Sequence, residues 1–189
     1  MATFYDHITD KQHERILEQK LFFVASAPDE GRVNVSPKGM DSFRILSPNR
    51  VAYLDLTGSG NETSAHLRQN GRITVMFCAF DGAPTIIRLF GHGRVITRAD
   101  DEWGELATLF PDLPGVRQIM VIDVDQSQNA CGMGVPLFSH QGDRDALLNH
   151  WHERGPDGVR AYWQKRNTKS IDGLEPYPLV EGAGTDPDA

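Results

Sequence analysis

Two apolar runs separated by a turn make up residues 73–96, ITVMFCAFDGAPTIIRLFGHGRVI. Both runs are rich in β-branched and aromatic residues, which favour strands. Asp81 and Gly82 lie in the short stretch between them, where a tight turn needs such residues. The segment therefore predicts a β-hairpin. Gly91 and Gly93 in the second run predict a bulge or a close approach of another backbone.

Four further strands are predicted on either side of this hairpin. They cover residues 21–26, 32–36, 50–56 and 118–125. The first two flank a turn at residues 28–31 and should pair with each other. The connections are hairpins rather than the strand–helix alternation of a parallel sheet. The predicted fold class is mainly β with flanking helices, a six-stranded antiparallel split β-barrel, because closure removes exposed strand edges.

Helical spacing of apolar residues appears between and after the strands. It predicts helices at residues 10–20, 61–70 and 99–110, and two pieces after Arg144 that are interrupted at residues 155–158. Thr9 and Gln12 have the spacing of a capping box for the first helix. The 189 residues fit one domain. We expect the barrel to span residues 1–140, a C-terminal helical extension 141–175, and a flexible tail 176–189.

The composition limits the classes of binding partner and the cellular location that are expected. A formal net charge of -7 argues against a nucleic-acid partner or an anionic membrane partner. Cys78 and Cys131 are too far apart in sequence for a zinc or redox pair, and no signal peptide or membrane span is apparent, so a cytoplasmic location is expected. The spacing of His150 and His152 is not that of metal ligands on a helix, and no metal is predicted.

An anion-binding site is predicted from two local motifs. Lys38 follows the strand at residues 33–36, where the chain bends at Pro37 and Gly39. The loop at residues 58–60 leads into a helix whose first amides lack helical partners, with Thr63 and Ser64 in its first turn. A cation and a helix N-terminus together predict a phosphate site. Glu62 opposes this prediction unless its carboxylate points away.

The run from Phe22 to Ile96 resembles the FMN-binding split barrel of the pyridoxamine 5'-phosphate oxidase-like family. The resemblance is carried by Val35–Gly39 (VSPKG), by Gly60-Asn61 before a short helix, by Asn70–Ile73 and by Ile87–Gly91. Residues 130–136 and 165–174 are similar to elements of an uncharacterised branch of the family. The resemblance implies a homodimer that binds two FMN molecules in clefts at the subunit interface, together with a small-molecule substrate.

The same resemblance implies the residues that would hold FMN. The strand beside the isoalloxazine ring would be formed by Val33, Asn34, Val35 and Ser36. Lys38 would contact the flavin or its phosphate, and Arg88 would project from its own strand toward the cofactor, either within the subunit or across the dimer interface. Beneath the cofactor would lie Tyr53, Leu54 and Asp55. The phosphate loop and helix start would contain Asn61, Thr63 and Ser64.

The sequence also departs from the oxidase proper. Where the oxidase has Ser-Arg-Lys at the phosphate helix, this chain has Asn61, Glu62 and Thr63, so the charge pairing with phosphate is weaker. The oxidase's C-terminal arginine and histidine pattern has no match here, and we expect a substrate other than pyridoxamine phosphate. Among the C-terminal residues, Trp163, Lys165, Arg166 and Asn167 are candidates for the wall on the substrate side.

Two functions follow from this resemblance. The first is an FMN-dependent oxidoreductase that passes electrons or hydride between a reduced donor and a small organic acceptor. FMN itself would supply the redox chemistry, and no particular catalytic residue is predicted. The second is a protein that holds or senses a flavin or haem without turnover. A deazaflavin in place of FMN also stays open.

Overall fold

The computed structural model describes residues 2–179 and consists of one antiparallel sheet with flanking helices. The strands are β1 Thr3–Tyr5, β2 Phe22–Ser26, β3 Asn34–Lys38, β4 Phe43–Ser47, β5 Arg50–Leu56, β6 Arg72–Cys78, β7 Thr85–Ile96 and β8 Val116–Cys131. The helices are α1 Asp10–Glu18, α2 Glu62–Gln69, α3 Trp103–Ala107 and α4 Ala146–Arg166. The predicted fold class is confirmed, with eight strands where the sequence indicated six.

The strand order is β3-β2-β6-β7-β8-β5-β4, and β1 pairs with β8. The predicted hairpins β2–β3 and β6–β7 are both present and antiparallel. β7 also pairs along β8, with a register shift at Gly91. A side chain at Gly91 would collide with the carbonyl oxygen of Asp123, 2.0 Å from the Cβ position. The predicted bulge and close approach are therefore confirmed at this glycine.

The sheet curls until strands from its opposite ends face each other. Phe22 of β2 and Phe43 of β4 lie at 5.1 Å between ring centroids, and Phe77 of β6 is 5.0 Å from Phe43. Tyr53 of β5 also reaches Phe22, at 5.8 Å. Such distances are typical of packed aromatic pairs. This aromatic contact closes the barrel around its main core.

Two strands were not predicted from the sequence. β4 lies in a segment bounded by Pro37 and Gly39 on one side and by Pro48 on the other, and these residues hid a five-residue strand. β1 has three residues and pairs with residues 127–129 of β8. Its formation depends on that distant partner rather than on a local pattern.

The helices follow the predicted positions with one clear difference in extent. Thr9 caps α1 through the predicted capping box with Gln12. α3 has five residues, fewer than the sequence indicated. α4 contains a break at Gly155, whose φ of 62° and ψ of -179° are not helical, at the predicted interruption.

The C-terminal part of the chain packs against the outside of the barrel. Trp151, Val159 and Trp163 of α4 form a separate buried cluster, and Leu179 packs against it. The backbone amide of Tyr177 donates to Ser64 Oγ at 3.1 Å. Residues 176–179, predicted to begin a flexible tail, are thus held to the barrel, and the rest of that predicted tail, 180–189, lies outside the described residues. Of the helices within residues 2–179, none combines the length and the apolar character that a membrane span requires.

Candidate functional site

A cavity of about 850 Å³ opens between the barrel and the C-terminal segment. Its barrel wall comes from β3, the end of β5, the start of β8, the loop at residues 58–60 and the first turn of α2. Its C-terminal wall comes from residues 165–171. Six basic side chains and two carboxylates line it, so we call it the cationic cavity. The basic residues are Arg32, Lys38, Arg117, Lys165, Arg166 and Lys169.

Asp55 is the centre of the charge network on the barrel wall. It is 2% exposed and accepts from Lys38 Nζ at 2.8 Å and from Arg117 Nε at 2.6 Å. Gln118 Nε2 also donates to it, at 2.8 Å. Burial alone would raise the pKa of Asp55, but the charges of Arg117 and Lys38 lower it well below its usual range. Asp55 is therefore anionic at neutral pH and fixes both cations at the cavity.

The same network positions the loop that leads into α2. Arg117 Nη1 donates to the carbonyl oxygen of Gly60 at 2.7 Å, and Gln118 Nε2 donates to Asn61 Oδ1 at 2.7 Å. Asn61 occupies the N-cap position, yet within the described chain no side chain caps this helix end. Thr63 accepts from Asn34 Nδ2 at 3.3 Å. The first turn of α2 is thus tied to both β3 and β8, beside the cavity.

Glu62 faces the C-terminal wall. Both of its carboxylate oxygens lie 3.1 Å from the backbone nitrogen of Ile171, which donates to them. The carboxylate does not point away from the predicted anion site, because Glu62 and Ile171 both line the cavity. It is bound there by the amide of Ile171. Glu62 therefore attaches the C-terminal wall to the start of α2.

Buried bonds to Thr57 and Gly58 hold α4 and the residue after it against the barrel. Trp163 Nε1 donates to Thr57 Oγ1 at 2.7 Å, and Trp151 Nε1 donates to the Thr57 carbonyl at 3.0 Å. Asn167 Nδ2 donates to the Gly58 carbonyl at 3.1 Å. Trp163 and Asn167, candidates for the wall itself, are buried and support it, whereas Lys165 and Arg166 line the cavity.

Six of the twelve residues predicted to bind the cofactor line this cavity. They are Val33, Asn34, Ser36, Lys38, Asp55 and Thr63. They come from β3, the residue before it, the end of β5 and the start of α2. The two local motifs of the predicted anion site therefore lie on one wall, although 25 residues separate Lys38 from Thr63 in the sequence.

Three of the other predicted residues are buried around the cavity. Tyr53 is fully buried in the barrel core, where desolvation raises the pKa of its hydroxyl well above the ordinary value. Leu54 packs into the cluster under α3, and Asn61 is bonded to Gln118. These side chains support the site and do not line the cavity.

The remaining three predicted residues point elsewhere. Val35 lies on the opposite face of β3 from Asn34 and Ser36, as strand alternation requires. Ser64 is buried and accepts from the amide of Tyr177. Arg88 lies between two core residues of β7 and so faces out of the barrel, where it donates to Gln128 at 3.2 Å. Within one subunit, Arg88 does not line the cavity.

Sequence reasoning missed the residues that complete the cavity from a distance. Arg117 and Gln118 start the strand β8 and lie more than 60 residues from Asp55 in the sequence. Arg32 lines the cavity and pairs with Asp172, which also accepts from the backbone amide of Arg32 at 2.7 Å. An arginine before a strongly apolar run was the one available signal for Arg117.

The chain matches the family model described as pyridoxamine 5'-phosphate oxidase over residues 8–131. The chain belongs to this family. The match spans the barrel from just before α1 to the last residue of β8.

A curated relative extends the likeness beyond the barrel. The pyridoxamine 5'-phosphate oxidase family protein ustO of Aspergillus flavus is 49% identical over 194 residues, covering 92% of this chain and 77% of that relative.

Solved structures of low identity share the fold. A single-residue variant of HupZ from Group A Streptococcus has a TM-score of 0.52 at 21% identity, covering 65% of this chain and 99% of that chain. A putative pyridoxamine 5'-phosphate oxidase from Lactobacillus delbrueckii has a TM-score of 0.52 at 18% identity, covering 65% and 94%. Both cover about two thirds of this chain.

Proposed function

We propose that the cationic cavity binds FMN and that the protein is an FMN-dependent oxidoreductase of the pyridoxamine 5'-phosphate oxidase family. In this role it passes electrons or hydride between a reduced donor and a small organic acceptor. The observation that carries the proposal is the cavity itself, where β3, the start of α2 and an excess of cations meet in a family member.

The size and polarity of the cavity fit such a ligand. Sites for small molecules and cofactors have volumes of roughly 300–1,000 Å³, and the cationic cavity has about 850 Å³. FMN combines a flat heteroaromatic ring with a phosphate group. Asn34, Ser36 and Lys38 on β3 supply polar groups for the ring, and the uncapped first turn of α2 supplies amides for an anion.

FMN, when bound, supplies the hydride or electron chemistry, and the protein supplies its electrostatic setting. Lys38 and Arg117 are the cations fixed most firmly at the cavity, because buried Asp55 holds both. A fixed cation beside the ring would favour its anionic reduced form. We assign this role to Lys38.

A homodimer with cofactor sites at its interface is part of the proposal. The loop after β8 carries exposed Met133, Leu137 and Phe138, which a second subunit would cover. Arg88 would then have to reach the cofactor of the other subunit. Sedimentation equilibrium of the purified protein tests this, and a stable monomer would contradict it.

The compartment is proposed from the cysteines. Cys78 and Cys131 are both unpaired, which is the usual state of thiols in a reducing cytoplasm. Labelling of fractionated cells with an antibody against the protein tests this location.

A flavin-holding protein without turnover is the second candidate. The observation that favours it is that both carboxylates lining the cavity are engaged, Asp55 by two cations and Glu62 by the amide of Ile171. Neither is free to act as a general acid or base. Stopped-flow reduction of the FMN-loaded protein by NADH or NADPH separates the two candidates, because a holder would reduce no faster than free FMN.

FMN binding is tested by absorbance and by two variants. The freshly purified protein, or the protein after addition of FMN, should show the flavin bands, and a Soret band would instead indicate haem. Lys38→Ala and Thr63→Val should each weaken FMN retention, whereas Lys20→Ala and Thr108→Val, exposed and outside the cavity, should not. Unchanged retention in both cavity variants would place the flavin elsewhere.

A further inference from the structure

We propose that the C-terminal wall, through Lys165, Arg166 and Lys169, holds the phosphate group of the bound flavin. This inference rests on the proposed FMN function and adds to it a set of residues outside the barrel. It places the phosphate between these three cations and the first turn of α2, since both line one cavity.

The barrel wall alone has no net positive charge that could compensate for the charge of a phosphate. Its three cations are balanced in number by three carboxylates: Asp55 pairs with two of the cations, Asp172 of the C-terminal segment pairs with the third, and Glu62 lines the same cavity. The cations are Arg32, Lys38 and Arg117, and the carboxylates are Asp172, Asp55 and Glu62. A phosphate monoester carries close to two negative charges at neutral pH, and a neutral wall does not compensate for them.

The C-terminal wall supplies the missing charge. Lys165, Arg166 and Lys169 line the cavity, and no ion pair within residues 2–179 involves any of them. A helix C-terminus favours nearby cations, which is reason enough for Lys165 and Arg166 in the last turn of α4. Lys169 lies beyond the helix end, and this effect does not account for it.

The wall has a defined position at the cavity rather than a loose one. Asn167 is 2% exposed and bonds to Gly58. Ser170, also buried, closes a turn with Leu174 through its backbone and its hydroxyl. Asp172 accepts from the amide of Arg32. The segment that carries Lys169 is thus fixed on both sides of that residue.

The residue type at position 62 explains how the C-terminal wall is held at the start of α2. The oxidase proper has an Arg within its Ser-Arg-Lys pattern at the phosphate helix, and this chain has Glu62 there. The carboxylate binds the amide of Ile171 and so holds residues 165–171 at the start of α2. The contact places three cations of the C-terminal segment at the same cavity as the first turn of α2.

The test compares FMN with riboflavin, which lacks the phosphate. Flavin fluorescence quenching gives both affinities for the wild type and for the triple variant Lys165→Gln, Arg166→Gln, Lys169→Gln. The matched control is Lys11→Gln, Lys20→Gln, Arg144→Gln, with the same charge change at exposed positions outside the cavity. We expect the triple variant to lose FMN affinity by on the order of 10- to 100-fold and to keep riboflavin affinity, with the control unchanged.

Two results would overturn the inference. FMN affinity equal to that of the wild type would mean that the phosphate is held elsewhere. Equal losses for FMN and riboflavin would mean that these residues support the fold of the site and do not bind the phosphate.

Inorganic phosphate separates failure of this inference from failure of the proposed function. If the wild type binds neither flavin, the proposed function fails, and the thermal shift with phosphate decides whether the anion subsite stands. A phosphate-dependent rise in Tm that the triple variant lacks and the control keeps would retain the subsite. An equal response in all three proteins would remove it.

Discussion

The two walls of the cationic cavity differ in whether their cations are paired with carboxylates. On the barrel wall, Lys38 and Arg117 are paired with one buried carboxylate, Asp55, and their positions are fixed. On the C-terminal wall, the cations are exposed and unpaired within residues 2–179, and the segment that carries them is held to the barrel by the side chain of Asn167 and the backbone amide of Ile171. Paired cations give structure and orientation, whereas unpaired cations keep their charge for a ligand. Changes to the first wall should therefore alter stability as well as binding, and changes to the cations of the second wall should alter binding with little effect on stability.

Of the variants that test this difference between the walls, Asp55→Ala should cause the largest loss of stability. Removing the buried carboxylate leaves Arg117, 6% exposed, as a buried charge without its partner, which costs about 3–5 kcal/mol. Urea unfolding measures the loss. Asp123→Ala, which removes an exposed pair with Arg50, should cost less than about 1 kcal/mol. Similar losses for the two variants would contradict the structural role of Asp55.

Thr57→Val tests how the two walls are joined. The change keeps the shape of the side chain but leaves Trp163 Nε1 without the acceptor that it has at 2.7 Å. A buried donor left unpaired costs about 1–3 kcal/mol, and hydrogen exchange in residues 163–171 should speed up. Thr108→Val, at the exposed C-cap position of α3, should stay within about 0.5 kcal/mol. Loss of stability without faster exchange in that segment would show that Thr57 does not fix the C-terminal wall.

Asp172→Asn should loosen residues 170–174, at the end of the C-terminal wall, with little change in hydrogen exchange elsewhere. The backbone amide of Arg32 and its guanidinium lower the pKa of Asp172, which marks the carboxylate as the form that binds them. We expect faster hydrogen exchange at residues 170–174, measured by mass spectrometry, and an unchanged rate in β6. Asp157→Asn, an exposed carboxylate in α4, is the control. Uniform exchange in the wild type and Asp172→Asn would show that this contact does not fasten the wall.

A smaller effect is expected on the pH dependence of the free energy of unfolding, to which His66 and Asp172 contribute differently. Burial lowers the pKa of His66, whose Nδ1 lies 2.9 Å from Ser26 Oγ on the barrel side. As pH falls through about 6.5, the unfolded state takes up this proton before the folded state does, so the free energy of unfolding decreases. Asp172 has a lowered pKa, and its contribution persists until the pH falls below the ordinary range for a carboxylate. Acidification from pH 7 to 5 should therefore lower the free energy of unfolding through His66 before it does so through Asp172.

Urea unfolding between pH 5 and 7.5 checks this order. His66→Gln should flatten the pH dependence, and His152→Gln, on the exposed side of α4, should not. A wild type that gains stability on acidification, or a His66→Gln variant with the same slope, would contradict the prediction.

The sequence predicted the parts of this molecule that depend on local patterns. Alternating and apolar runs identified β6 and β7, Gly91 identified the bulge, and Thr9 with Gln12 identified the cap of α1. The strand β4 was hidden by Pro37 and Pro48, which look like breaks when the neighbouring strand is unknown. The polar end of β8, residues 126–131, is a strand because β7 pairs with it, and a local pattern does not contain that information.

The site residues also divide into those with a local sequence signal and those whose role depends on a distant partner. Lys38 and Thr63 were predicted because each lies in a short motif with its own physical reason. Arg117 was missed because its role comes from Asp55, a partner 62 residues away. Arg88 alternates with core residues on β7 and faces out of the barrel, so its predicted contact with the cofactor requires a second subunit and stays a prediction. The positions that depend on register or on distant pairing are those that the sequence left undetermined.

Crystals of the protein soaked with FMN would test the central claim most directly. We predict flavin density in the cationic cavity, with the ring beside β3 and the phosphate between the first turn of α2 and residues 165–171. Well-ordered flavin in another cavity, or this cavity empty at a saturating FMN concentration, would contradict it.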